Sequence, residues 1–192
     1  MRVTSLVVLL SVWSAAHADE ELVVTAPPRA AFFFAGSLGP CARSNPDVAG
    51  AGACGELSLG GDASLGSKLR VSGELGFGFM NSASEANPFT REVRSSGTPG
   101  YASARLMFGY DFSPEIFLRG GPQVRATWAL GRVDPGVQLV LDVGTRLGSE
   151  RFHRLELAVR TFGGIDGVAS TVTPRWSPAG CGGAMLLVRW LL

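Results

Sequence analysis

The segment KLRVSGELGFGF, Lys68 to Phe79, alternates. Leu69, Val71, Leu75, Phe77 and Phe79 fall on one face with Gly73 among them, and Arg70, Ser72, Glu74, Gly76 and Gly78 on the other. A repeat of two marks a strand whose faces meet different surroundings, because successive side chains point to opposite sides of the pleat. The same repeat runs through three further segments. In YASARLMFGYDF, Ala102, Ala104, Leu106, Phe108, Tyr110 and Phe112 oppose Ser103, Arg105, Met107, Gly109 and Asp111. In VQLVLDVGTRLG, Val137, Leu139, Leu141 and Val143 oppose Gln138, Val140, Asp142, Gly144 and Arg146. In HRLELAVRT, Leu155, Leu157 and Val159 oppose Arg154, Glu156, Ala158 and Arg160.

The stretch from Ile116 to Trp128 keeps the alternation, with Arg119, Gln123 and Arg125 on its polar face. Pro122 cannot donate to a ladder, so a bulge or local break is expected there. AAFFFAGSLG near Phe33 and CGELSLGG near Leu57 read as strands rich in small residues. The final segment, AMLLVRWLL, puts Ala184, Leu186, Val188, Trp190 and Leu192 on one face, and Met185, Leu187, Arg189 and Leu191 with Gly183 on the other. The pattern predicts an all-β chain of about eight strands.

The connections carry a second pattern. PCARSNPDVAGAG, NSASEANPFTREVRSSGTPG and GIDGVASTVTPRWSPAG are long, ALGRVDPG is intermediate, and DASLGS, SPE and SERF are short. Long and short connections alternate along the chain. In an up-and-down sheet consecutive connections lie at opposite ends, so the long ones gather at one end and the tight turns at the other, as in bacterial outer-membrane barrels.

The first residues read as a secretory signal peptide: Arg2, the short apolar core LVVLLSVW (Leu6 to Trp13), and the small-residue site AHA ending at Ala18. That core is too short to cross about 30 Å of hydrocarbon as a helix. Residues 19–30 would then be a periplasmic lead-in and 31–192 the barrel domain. The net charge of +1 gives no electrostatic case for nucleic acid. The 26 glycines show no collagen period. A mean hydropathy of +0.22 without a segment as long as a membrane helix means that the apolar residues are spread over many short elements.

With its leader, alternating strands, alternating loop lengths and terminal AMLLVRWLL, the chain resembles the small eight-stranded outer-membrane barrels of the OmpA and OmpX kind. The resemblance covers nearly the whole mature chain. It implies a closed antiparallel up-and-down barrel in the outer membrane of a Gram-negative bacterium, with membrane lipid and the barrel-insertion machinery as partners. In that family the last strand usually ends in an aromatic residue; here Leu192 stands last, with Trp190 two places earlier. The apolar terminal run would then close the barrel and face lipid, leaving no edge in hydrocarbon.

The polar faces collect Glu56, Arg70, Glu74, Arg105, Asp111, Arg119, Arg125, Asp142, Arg146, Glu156, Arg160 and Arg189, all pointing inward in this assignment. An eight-stranded barrel is just wide enough for its side chains to fill it, so these charges are expected to pair with one another; the alternative is a narrow or gated ion path. Cys41, Cys54 and Cys181 are an odd set, without CxxC or zinc spacing. The connection pattern puts Cys41 and Cys54 at the two ends of the first long loop and Cys181 at the end of the last. All three would lie at one rim, with Cys41–Cys54 the first choice of disulfide in an oxidising compartment.

Signals for catalysis are sparse. His153 in RFHRLE would be the only histidine of the mature chain, with no serine two or three residues after it. No phosphate loop, nucleophile elbow or metal cluster is present, and no cofactor is implied. EELVVTAPPR, Glu20 to Arg29, is similar to the box by which large transporters engage TonB, but the chain has no room for their plug and larger barrel. Loop residues suited to contact are Phe89, Arg91, Arg94, Arg175 and Trp176. The reading is a non-enzymatic outer-membrane barrel, structural or displaying loops for adhesion or an unknown partner, and not an open porin. A soluble exported lipocalin-like barrel is the alternative; it would swap the faces, so that Leu69, Val71, Leu75 and Phe77 lined a cavity for an apolar ligand. A lipid-modifying outer-membrane enzyme is the third reading.

Overall fold

The computed structural model describes residues 30–44, 49–82, 85–86, 93–94, 99–129, 132–147, 155–169 and 176–192. The expected signal peptide, the TonB-like segment, His153, Phe89, Arg91 and Arg175 lie outside them.

Ten strands follow one another: β1 (Ala30–Ser44), β2 (Ala49–Ser64), β3 (Leu69–Ser82), β4 (Glu85–Ala86), β5 (Val93–Arg94), β6 (Gly100–Asp111), β7 (Ile116–Ala129), β8 (Arg132–Leu147), β9 (Leu155–Ala169) and β10 (Trp176–Leu191). Eight of them are 12 to 16 residues long. Each long strand pairs antiparallel with its sequence neighbours, and β1 pairs with both β2 and β10. The sheet therefore closes on itself, which removes every edge. The two-residue strands β4 and β5 form a small hairpin attached to β2 at Ala49↔Ala86.

The strands outrun their sequence signals. β1 takes in Pro40, Cys41, Ala42 and Arg43, and β2 starts at Ala49, so the first long connection shrinks to residues 45–48. β8 takes in Asp134 and Pro135, β9 runs on to Ala169, and Trp176 opens β10 instead of lying in a loop. Arg94 falls in β5. Gly, Pro, Asn and Asp signal turns in isolation. Here a neighbouring strand holds their backbones in a ladder on at least one side. A span needs only about 9–11 tilted residues, so the longer strands rise past the hydrocarbon on the loop side.

Pro122 breaks a ladder without making a bulge. β6 and β7 keep one register from Gly100↔Trp128 to Phe108↔Gly120, with the pairing interrupted between at Leu106, Met107, Gly121 and Pro122. On its other side Pro122 stays opposite Leu139. The β1–β10 ladder has the same gap around Gly39 and Pro40. At both gaps the glycine before the proline faces inward against the neighbouring backbone. A Cβ at residue 121 would stand 3.1 Å from Met107 Cα, and one at 39 would stand 2.7 Å from Met185 Cα. The missing proline N–H lets the backbones crowd, and only glycine fits beside it.

The wall has an apolar outside and a polar inside. Phe32, Phe77 and Leu139 are 72%, 64% and 70% exposed, while Glu74, Asp142 and Arg160 are buried. Leu69, Leu75 and Phe77 thus point outward and Arg70 and Glu74 inward, opposite to the facing a soluble lipocalin-like barrel needs. Exposed aromatic rings mark both rims: Phe32, Phe34, Phe112 and Trp190 near the tight turns, Phe79 and Trp128 near the long connections. Girdles of aromatic residues flank the apolar band of outer-membrane barrels at both interfaces.

Candidate functional site: the filled barrel interior

Alternation brings the inward charges together. At the turn end, Arg70 donates to Asp111 at 2.7 Å and to Asp62 at 3.1 Å. Arg146 donates to Asp111 at 2.7 Å and to Glu156 at 3.0 Å. Arg119 grips Glu156 with both terminal nitrogens, at 2.6 and 2.8 Å. Such forked pairs are the strongest ionic hydrogen bonds.

Glu74 is the hub of the middle of the barrel. It accepts from Arg160 at 3.0 and 3.1 Å, from Arg105 and Arg189 at 3.3 Å, and from the Ser58 hydroxyl at 2.5 Å. Arg160 also forks onto Asp142 at 2.8 Å, and Arg105 bonds Glu56. Arg189 reaches Glu156 at 3.5 Å and so joins the middle to the turn end. Six arginines (70, 105, 119, 146, 160, 189) and six carboxylates (56, 62, 74, 111, 142, 156) thus form one connected network. The balance matters, because an uncompensated buried charge costs several kcal/mol. Arg119 lies 4.2 Å over Phe117 and Arg189 4.0 Å over Phe33, which adds cation–π attraction where water is excluded.

Beside this network packs an apolar cluster. Cys41, Cys54, Met80, Met107, Val140, Phe162 and Met185 pack together, and they come from seven of the eight barrel strands, all except β7. Toward the loops the interior turns polar again. Arg43 and Arg125 converge on Asp166, and Gln138 donates to Asp166 at 3.2 Å and accepts from Gln123 at 3.2 Å. A cavity of about 10 Å³ between Glu56, Tyr101, Gln123, Arg125, Gln138, Arg160, Phe162 and Met185 is the size of a single water.

All twelve sequence-derived charges face inward, but Arg125 does not join the main network and bonds Asp166 instead. Sequence reasoning missed Asp62, Asp134 and Asp166 because it placed them in connections. Period two carried on through GGD, VDP and DGV would have found them.

The cysteines are placed differently from the loop-end expectation. Cys41 and Cys54 lie within β1 and β2, side chains inside the barrel, and are joined by a disulfide with Cα atoms 5.8 Å apart. The register sets Cys41 opposite Gly52 and Cys54 opposite Gly39, so the bond runs diagonally across the ladder. Cys181 is a buried thiol inside β10, with the Gln138 amide donating to its sulfur at 3.0 Å. The reason is the length of the strands, which carry the ladder over what the sequence reads as loop.

No family model and no curated protein matches the chain. Among solved structures it is similar to Neisserial surface protein A (NspA), with 14% identity, 84% of this chain and 98% of that one covered, and a TM-score of 0.51. It is also similar to Ail, the attachment invasion locus protein of Yersinia pestis, with 9% identity, 87% and 100% covered and a TM-score of 0.47. The outer-membrane protein AlkL aligns with 8% identity, 91% and 96% covered and a TM-score of 0.44. Closed by eight antiparallel strands, apolar outside and charged within, the chain is a small barrel of the outer-membrane architecture.

Proposed function

We propose that this chain is a non-conducting, non-enzymatic outer-membrane barrel that serves as a rigid platform for its longer connections. Lipid surrounds its apolar belt, the insertion machinery handles β10, and an extracellular partner binds the loop end through residues such as Phe89, Arg91, Arg94, Arg175 and Trp176. Loops on a rigid scaffold are where binding residues concentrate. One observation carries the reading: the bore is filled twice, by the balanced ion network and by the apolar cluster contributed by seven strands. Ions crossing it would have to displace buried salt bridges and pass a bore narrowed by the apolar cluster to about one water. The carboxylates of the network are engaged by arginines, which leaves them ill suited to act as acid or base toward a substrate.

The test is planar-bilayer recording of the refolded chain, paired with urea washing of isolated outer membranes. The reading expects no steady conductance and full retention with the membrane. A stable, large current would overturn the filled bore. Release by urea would return the soluble barrel.

A further inference from the structure

The three cysteines lie on one oblique row across the inner wall. Cys41 stands opposite Gly52 of β2 and Gly183 of β10. Cys54 is two residues further along β2, and Cys181 two residues back along β10. Both strands run from the loop end to the turn end. One step therefore goes toward the turns and the other toward the loops, so the row is straight, with Cys41 at its centre.

Side chains meet along this diagonal at the same seam. Ser37, opposite Leu187, donates its hydroxyl to the Met185 sulfur at 3.6 Å. Phe33, opposite Leu191, takes the Arg189 guanidinium over its ring at 4.0 Å. Cys41 and Cys181 have the same offset; Cys181 Sγ here takes the Gln138 amide on the β9 side, and a turn about its Cα–Cβ bond aims it at Cys41. On the other side of β1, the matching step is the Cys41–Cys54 disulfide.

We propose that Cys41 is a shared centre for two alternative disulfides, with Cys181 the resolving thiol. The Cys181 thiolate attacks Cys41 Sγ from the side opposite Cys54. The Cys181–Cys41 bond forms, the Cys41–Cys54 bond breaks, and Cys54 leaves as a thiolate that takes up the proton Cys181 gave up. One disulfide and one thiol enter and the same leave, so no oxidant is needed. The two bonds do different work. Cys41–Cys54 ties a hairpin, and it can form as soon as β1 and β2 pair. Cys41–Cys181 ties the first barrel strand to the last, which the register sets side by side only on closure. Exchange would thus convert a hairpin staple into a lock on the seam, restraining a far longer loop of the unfolded chain.

The test uses the full chain, folded in mild detergent and held in mildly alkaline buffer without oxidant or reductant. Samples are quenched in acid, alkylated and mapped under non-reducing conditions. The proposal expects the Cys41–Cys181 peptide to rise as Cys41–Cys54 falls, with the alkyl label moving from Cys181 to Cys54. Label that stays on Cys181 overturns it, and so does a Cys41–Cys181 bond seen only in unfolded chain. A second measurement oxidises the Cys54→Ser variant in its folded, heat-modifiable form. Cys41 and Cys181 should then lose alkylation together, and free thiols at both would overturn the proposal. Should that variant not fold, the wild-type exchange alone decides.

Discussion

Replacing Glu74 by glutamine removes one negative charge from the middle of the barrel at nearly constant volume. The carboxylate is fully buried and touches three arginines. Arg105 would keep Glu56, and Arg160 would keep Asp142 and Glu56. Arg189 would keep only the longer contact to Glu156 at 3.5 Å. The network would hold six guanidinium groups against five carboxylates, nearly all of them buried. Breaking a buried pair by removing one partner costs about 3–5 kcal/mol, and Glu74→Gln should fall in that range. Removing both partners is far cheaper, so adding Arg189→Met should recover much of the loss instead of doubling it. The coupling should reach about 1–3 kcal/mol, as for residues in one network. The assay is urea unfolding of the barrel in lipid vesicles. Fluorescence follows Trp128 and Trp190, which face outward near opposite rims and change surroundings on unfolding. A Glu74→Gln variant within about 1 kcal/mol of wild type would refute the reasoning, as would simple additivity in the double variant.

Leu141 points outward midway along β8, and Leu141→Arg should destabilise the barrel in vesicles by about 2–4 kcal/mol, the toll on an arginine at mid-bilayer. A harmless Leu141→Arg would show that this face does not meet lipid. Asp142→Asn should be milder than Glu74→Gln in the same unfolding assay, because among the described residues Asp142 bonds Arg160 alone and an amide oxygen still accepts. Gly121→Ala should cost about 1–3 kcal/mol by crowding the Leu106–Met107 backbone. Gly73→Ala, where an added Cβ meets nothing within 4 Å, should stay within about 0.5 kcal/mol in parallel melts. Equal effects at the two glycines would show that close approach is not what requires glycine at 121.

Facing was legible in the sequence. Period two assigns Leu75 and Glu74, or Leu141 and Asp142, to opposite sides of the wall whatever the partner strands are, because pleating is a local property of the backbone. The choice between lipid outside and ligand inside was not, since swapping inside for outside leaves the period unchanged. The strand ends were misread where Gly, Pro and Asp occur. Asp62, Asp134 and Asp166 look like turn residues until a neighbouring ladder holds their backbones and turns their carboxylates inward. Twelve inward charges could be named without knowing which arginine meets which acid. Glu74 meets Arg189 only because closure brings strands distant in sequence around one narrow bore. The cysteines show the same division. Their residue types permit a disulfide, but Cys41 lies between Cys54 and Cys181 only through the register of β1 with β2 on one side and β10 on the other. Local pattern sets where a side chain points. Its partners come from register and closure, which depend on all eight strands at once.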